Sequence, residues 1–220
     1  MMPKQVDHVS YRKYLLDQCV DLFARYGYGA LTMRQIAEAL RVSTGTLYYY
    51  FPTKDALFHS LVEEVTRQTI FEATSQIQQQ ITLEERLLAL FSFIEQHEED
   101  LRRQFLILLN YYQHRDLYGA AAGTMLQEGA GRYQQAIMEV VGLPDAHICL
   151  LLQSQINGLL TLRMLRNSRS SFLKQARPFI AMLVDYLHKS AGSAKEREGE
   201  PYDNDTTPNL HNPDQTGIAP

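Results

Sequence analysis

The sequence predicts an all-α protein, and three observations carry that reading. Apolar residues recur at three- and four-residue spacing along most of the 220 residues, the period of one helix face. Runs of alternating β-branched residues between turn dipeptides, the mark of strands, are not found. The breaks between periodic stretches fall on residues suited to helix ends: Thr32, Ser43, Thr53 and Thr82 at starts, Gly27 and the 142–144 stretch at stops.

The first helix is predicted over 9–26, with Leu15, Leu16, Cys19, Leu22, Phe23 and Tyr26 on one face and Gly27 closing it in a left-handed conformation. A short second helix starts after Thr32, whose hydroxyl and Gln35 form a capping box, and its apolar face is Ile36, Ala37 and Leu40. Ser43 caps a third, TGTLYYY, which must stop before Pro52 because the residue preceding proline is pushed out of helical geometry. Thr53 caps a long fourth helix reaching about residue 79, carrying Phe58, Leu61, Val62 and Val65. Further helices are predicted over 83–97, 100–117, 121–141, 146–167 and 171–190, with Pro178 expected to kink or restart the last. From 192 onward the chain has almost no apolar content and is expected to be disordered.

Composition, with 45% hydrophobic residues, provides for a substantial core. No uninterrupted apolar run approaches the roughly 18 residues of a bilayer span, and the first residues lack a secretory signal, so no membrane partner and a cytoplasmic location are expected. Cys19 and Cys149 each sit in an apolar helical pattern and read as reduced core thiols. The formal net charge of −4 is unevenly spread: residues 1–60 hold seven basic against five acidic side chains, the remainder 14 against 20. The N-terminal segment is thus the cationic one, although only by a margin of two.

The strongest local pattern is LTMRQIAEALRVSTGTLYYYFPTKDALF, residues 31–58. Two short helices joined by a three-residue turn make a helix-turn-helix, with the small Ala37 and Gly45 expected to let the helices approach. The second would enter a major groove and present Ser43, Thr44, Gly45, Thr46, Tyr48 and Tyr49. Leu47 and Phe51 form the expected buried seam, leaving Tyr48 and Tyr49 outward, where exposed aromatics need a reason.

This stretch, with the preceding DLFARYGYGALT, resembles the DNA-binding domain of the TetR family of bacterial regulators over residues 12–60. The resemblance implies an N-terminal three-helix helix-turn-helix domain plus a C-terminal helical ligand-binding and dimerisation domain. The corresponding divisions are 1–55, 56–191 and a tail over 192–220. Arg34, Thr44 and Tyr48 correspond to base-edge readers, and Thr46, Tyr49, Tyr50 and Lys54 to positions that hold the phosphate backbone. Thr32 adds a hydroxyl and a helix N-terminus aimed at phosphate. In that reading the partners are a double-stranded DNA operator, a second copy of the chain and a small, largely apolar effector. The effector cavity would draw on Phe105, Tyr111, Tyr112, Met125, Tyr133, Gln153 and Asn157. The last two helices would supply a four-helix dimer bundle through Leu152, Ile156, Leu159, Leu160, Phe179, Leu183, Tyr186 and Leu187.

Other patterns read as structure. His97 to Asp100 are adjacent on a helix and diverge around it, so no metal site is expected there. Gly119, Gly123, Gly129 and Gly131 follow no strand, so they do not make a phosphate loop, and close helix packing or a kink is expected of them. No nucleophile–base pair or cofactor loop is present in the sequence, which predicts no enzyme and no cofactor. The alternative to an effector-released repressor is a protein of the same fold that associates with DNA but acts mainly by binding another protein.

Overall fold

The computed structural model describes residues 7–113, 120–167 and 170–198, the side chains of 120–126 and 191–198 excepted. Among them are the helices α1 (His8–Tyr26), α2 (Met33–Ala39), α3 (Thr44–Tyr50), α4 (Lys54–Ile77), α5 (Leu83–Gln96), α6 (Glu98–Gln113), α7 (Ala120–Val141), α8 (Ala146–Arg166) and α9 (Phe172–Glu198). No strand occurs among the described residues. The expected end of the 100–117 helix, Gly119, the Gly123 side chain and the tail beyond 198 lie outside the described residues.

The capping chemistry explains the helix starts. Thr32 and Gln35 close a capping box on α2, and Thr82 and Glu85 close another on α5. Ser43 accepts from Thr46 N, Thr53 from Ala56 N, and Asp145 from His147 N and Ile148 N. Each cap satisfies backbone donors that the first helical turn leaves orphaned.

Gly27 ends α1 at φ 74° and ψ 164°. The positive φ agrees with expectation, but the ψ is extended rather than left-handed helical, a region essentially reserved to glycine. Tyr26 is exposed, because the burial stripe of α1 runs through Leu15, Leu16, Cys19 and Phe23 and ends there.

α9 departs from the sequence reading twice. It passes through Pro178 without restarting. The carbonyl that proline leaves without a helical partner belongs to exposed Lys174, where water can replace the bond. The helix also continues to Glu198, into the segment expected to be disordered, because Ala194 to Glu198 are strong helix formers despite being polar.

The chain divides into two units between Ile180 and Ala181. In the first, one apolar core unites α1 to α4 with α6: Phe23, Tyr28, Leu47, Phe51 and Phe58 from the N-terminal segment join Ile107 and Tyr111 of α6. Elsewhere in this unit Arg163 of α8 is buried and donates to both carboxylate oxygens of Glu98, at 2.7 and 2.8 Å. It also donates to Ser170 O at 2.5 Å and Gln175 Oε1 at 3.0 Å. In the second unit, the α9 segment from Ala181 carries exposed Met182 and Tyr186, and Lys189 pairs with Asp185 at 2.6 Å.

α8 is apolar around its circumference, and it is the helix, among the described residues, long and apolar enough by composition to cross a bilayer. Residue spacing therefore could not single out its outer face. Leu152 is fully buried and Leu160 lines an internal cavity, so neither is on the surface assigned to them from sequence. The exposed leucines are instead Leu150, Leu151, Leu162 and Leu165.

Candidate nucleic-acid interface and inner cavity

The turn between α2 and α3 is closed by Val42 N donating to Ala37 O at 3.0 Å and passes through Arg41 at φ 58°, a left-handed conformation in a non-glycine residue. Leu47 and Phe51 are fully buried beneath α3. Their burial fixes the helix rotation and leaves Thr44, Gly45, Tyr48 and Tyr49 on the outside, with Tyr49 72% exposed. Thr32, Arg34 and Ser43 are exposed beside them. Gly45 does not serve helix packing: a Cβ there would meet only Ser43 Oγ, at 3.7 Å. Its small size instead keeps the outer face of α3 low.

Several of the sequence-predicted residues are engaged within the protein. Thr46 is half-buried and its hydroxyl shares a 2.7 Å hydrogen bond with Ser43 Oγ. The Tyr50 hydroxyl lies 3.0 Å from His8 Nδ1, and its ring packs on Tyr11 and Tyr49 at 5.5 and 5.0 Å. Lys54 turns inward: its ammonium donates to Tyr28 O at 3.0 Å and Leu31 O at 2.8 Å and sits 4.1 Å over the Tyr28 ring. Burial lowers its pKa, with Asp55 pulling the other way. Lys54 therefore ties the loop between α1 and α2 to the start of α4, a task that its spacing in the sequence did not disclose.

The same loop is gripped from the opposite side by α6. Tyr28 N donates to Asn110 Oδ1 at 2.9 Å, and the Tyr28 hydroxyl bonds Asp55. Tyr111 stacks on Phe58 at 4.4 Å and meets Tyr28 edge-on at 5.0 Å. Tyr111, expected on a cavity wall, thus belongs to the core beneath the helix-turn-helix. It and Asn110 lie on one side of α6 and adjoin the sector of Gln104, Leu108 and Tyr112: Tyr111 is seven residues from Gln104 and therefore nearly above it, and Leu108 also packs against the N-terminal core.

The adjoining sector of α6 lines a cavity of about 450 Å³ formed with α4, α5, α7 and α8. α4 contributes a continuous helical stripe that includes Val62, Thr66, Thr69, Ile70 and Ile77. Of the residues expected there, Phe105, Tyr112, Tyr133, Gln153 and Asn157 are on the wall; the Met125 side chain lies outside the described residues. Gly129 is buried on the wall and a Cβ added to it would meet nothing within 4 Å, so it widens the cavity rather than bringing helices together. Gly131 likewise has open space. Sequence reasoning missed Thr66, Thr69 and Gln104; the available signal was two threonines, three apart, inside the apolar stripe of α4.

A helix-turn-helix with an exposed outer face, joined through α4 and α6 to a roomy cavity, is the arrangement of a transcriptional regulator. Residues 15–61 match the bacterial regulatory proteins of the tetR family. It is 39% identical over 69 residues to the HTH-type transcriptional repressor Rv1474c of Mycobacterium tuberculosis, a match covering 30% of this chain and 37% of that one. The fold is similar to that of the regulator FadR from Bacillus subtilis, solved with stearoyl-CoA, at 20% identity and a TM-score of 0.63 over 78% and 97% of the two chains. A TetR transcription regulator from Haloarcula marismortui gives 17% identity and a TM-score of 0.65 over 81% and 98%. The matched stretch spans about a third of the curated repressor, and the structural likenesses at these identities concern the fold.

Proposed function

We propose that the protein is a transcriptional repressor that binds a pseudo-palindromic operator as a dimer in the cytoplasm and is released by a small, largely apolar effector. The observation that carries this reading is the outer face of α3, where Tyr48 and Tyr49 stand exposed above a fully buried Leu47. Leaving two large aromatic rings in water without a partner surface is unfavourable, and a major groove supplies one. Arg34, Thr44 and Tyr48 are the proposed base readers. Thr32, Ser43, Gly45, Thr46, Tyr49 and Tyr50 approach the backbone, and Lys54 positions the domain from within.

Dimerisation is proposed through the exposed leucine face of α8, with Leu151, Leu162 and Leu165 spaced as one helical stripe. Two copies would then set their α3 helices about 34–36 Å apart, one turn of duplex. Effector in the cavity acts by favouring a conformer with a different spacing, since a ligand shifts an equilibrium only through unequal affinity for the two states. α4 and α6 both touch the cavity and the N-terminal core, and they carry the change.

The test is selection of binding sites from random duplexes, followed by titration of the enriched sequence at several salt concentrations. The expected result is a two-fold symmetric motif with affinity that falls steeply as salt rises. Absence of any sequence preference would refute the proposal.

A further inference from the structure

The cavity wall carries its own chemical selectivity. Among the described residues that line it there is no Asp, Glu, Lys, Arg or His. Most of the wall is aliphatic or aromatic, and its polar groups gather chiefly at two places. Gln153 and Asn157 of α8 form one group, with Asn157 exposed. The other lies deep, where Thr66 and Thr69 of α4, Gln104 of α6 and Tyr133 of α7 converge.

The deep group is assembled but slack. Gln104 and the Thr69 hydroxyl are 3.4 to 3.5 Å apart, and the Tyr133 hydroxyl is 3.5 Å from Gln104 Oε1. These exceed the 2.7–3.2 Å of ordinary hydrogen bonds, so Gln104 is near both hydroxyls without being well bonded to either. Thr66 is 3% exposed. Burial pushes the Tyr133 phenol up, against hydrogen bonding from Thr69 and Thr66, which keeps it a neutral donor. Together two threonine hydroxyls, one phenol and one primary amide offer both donors and acceptors, all uncharged. The loosely held Gln104 amide leaves bonding capacity that a ligand atom can take up.

We propose that the effector is an uncharged amphiphile, an aliphatic chain ending in a single hydroxyl or neutral carbonyl, whose polar end docks on Tyr133, Gln104, Thr66 and Thr69. This deepens the effector reading above and rests on it. A hydroxyl can donate and accept at once and matches the group. Among the described lining residues a carboxylate would be stripped of water opposite acceptors with no cation to pair it, and an ammonium would meet no anion. The volume, about 450 Å³, suits a small molecule of this kind.

The experiment uses the full chain with 1-decanol, decanoate and decylamine, which share a chain length and differ in charge at neutral pH. Binding is read by titration calorimetry, and release by loss of selected duplex. Decanol is expected to bind at least tenfold tighter than either charged probe and to release the duplex. Tyr133→Phe is expected to reduce decanol affinity about tenfold, the equivalent of one hydrogen bond, while leaving duplex binding intact. Gly129→Leu fills the cavity from a site with room for a side chain and replaces a helical glycine, so it is expected to fold stably, bind duplex and bind none of the probes. Decanoate or decylamine binding as tightly as decanol, or Tyr133→Phe binding decanol as the natural protein does, would overturn the selectivity and leave the effector reading standing. Failure of all three probes to bind would overturn the proposed ligand class. Probe binding that never alters duplex affinity would instead remove the effector reading itself.

Discussion

Adding one methyl group at Gly27 tests the junction between α6 and the N-terminal core. The added Cβ would lie 2.7 Å from Asn110 Oδ1 and 3.0 Å from Cγ and Nδ2 of the same amide. Backbone strain adds to this, because φ 74° with ψ 164° is a glycine conformation costing other residues about 1–3 kcal/mol. The Asn110 side chain must swing away, and its bond from Tyr28 N at 2.9 Å breaks. A part-buried amide deprived of its acceptor costs about 1–3 kcal/mol. Gly27→Ala should therefore destabilise by about 2–6 kcal/mol, as the two contributions together, and Asn110→Ala by about 1–3 kcal/mol. The informative quantity is the double variant. Gly27→Ala already breaks the hydrogen bond, so adding Asn110→Ala should cost nothing more and relieves the clash. Urea unfolding followed by circular dichroism gives all four stabilities. A double variant less stable than Gly27→Ala by the full Asn110→Ala increment, within the roughly 0.5 kcal/mol of ordinary additivity, would refute the account of this junction.

Lys54→Met should lower stability by about 1–3 kcal/mol, from its two charged hydrogen bonds, and barely alter the salt dependence of duplex binding, whereas Arg34→Ala should do the reverse; salt titrations and urea melts on both separate the roles. Glu98→Ala leaves the Arg163 guanidinium, 7% exposed, without its carboxylate and should cost about 3–5 kcal/mol by urea melting. Burial pushes the Cys19 thiol up to about 12, so the folded state holds this proton longer than the unfolded state. The associated stability is complete below the unfolded value of about 8.5 and is lost as pH rises from there toward about 12, a slope that should be smaller in Cys19→Ala; folded protein at pH 8 should leave this thiol unmodified by a thiol-reactive dye. Leu162→Glu with Leu165→Glu should convert a dimer to monomers in sedimentation and weaken duplex binding, without loss of helix content.

What sequence alone disclosed follows from what is local. Caps are set by a side chain and a backbone donor three residues away, so Thr32, Ser43, Thr53 and Thr82 were legible, and so was the Leu47 and Phe51 seam that turns Tyr48 and Tyr49 outward. Pairings across many residues were not. Glu98 and Arg163 are 65 positions apart, and Tyr28 and Asn110 are 82 apart. Helical spacing states which residues share a face but not what that face meets, and so Tyr111 was assigned to the cavity and Leu152 to the surface. Lys54 was read as a phosphate-holding cation at a helix start, although its reach lets it satisfy two carbonyls of a neighbouring loop. The positive φ of Arg41 left no trace at all, because no glycine marks it.

Two adjoining sides of α6 supply a scale for the proposed response to effector. One lines the cavity through Gln104, Leu108 and Tyr112; the other holds the α1–α2 loop through Asn110 and packs Tyr111 on Phe58. A rotation or slide of α6 that improves its contacts with a bound ligand must therefore be charged against those two contacts. The hydrogen bond is worth about 0.5–1.5 kcal/mol net and the aromatic pair about 0.5–1.5 kcal/mol beyond area burial. Their sum matches the 1–3 kcal/mol, or roughly 5–150-fold, typical of coupling between distant sites. Under the proposed function, loosening this grip is enough, without unfolding any helix, to change duplex affinity by an amount of that size. It also sets a limit: in Asn110→Ala the loop is already partly released, so effector should change duplex affinity several-fold less than in the natural protein, and an undiminished response would place the coupling in α4 alone.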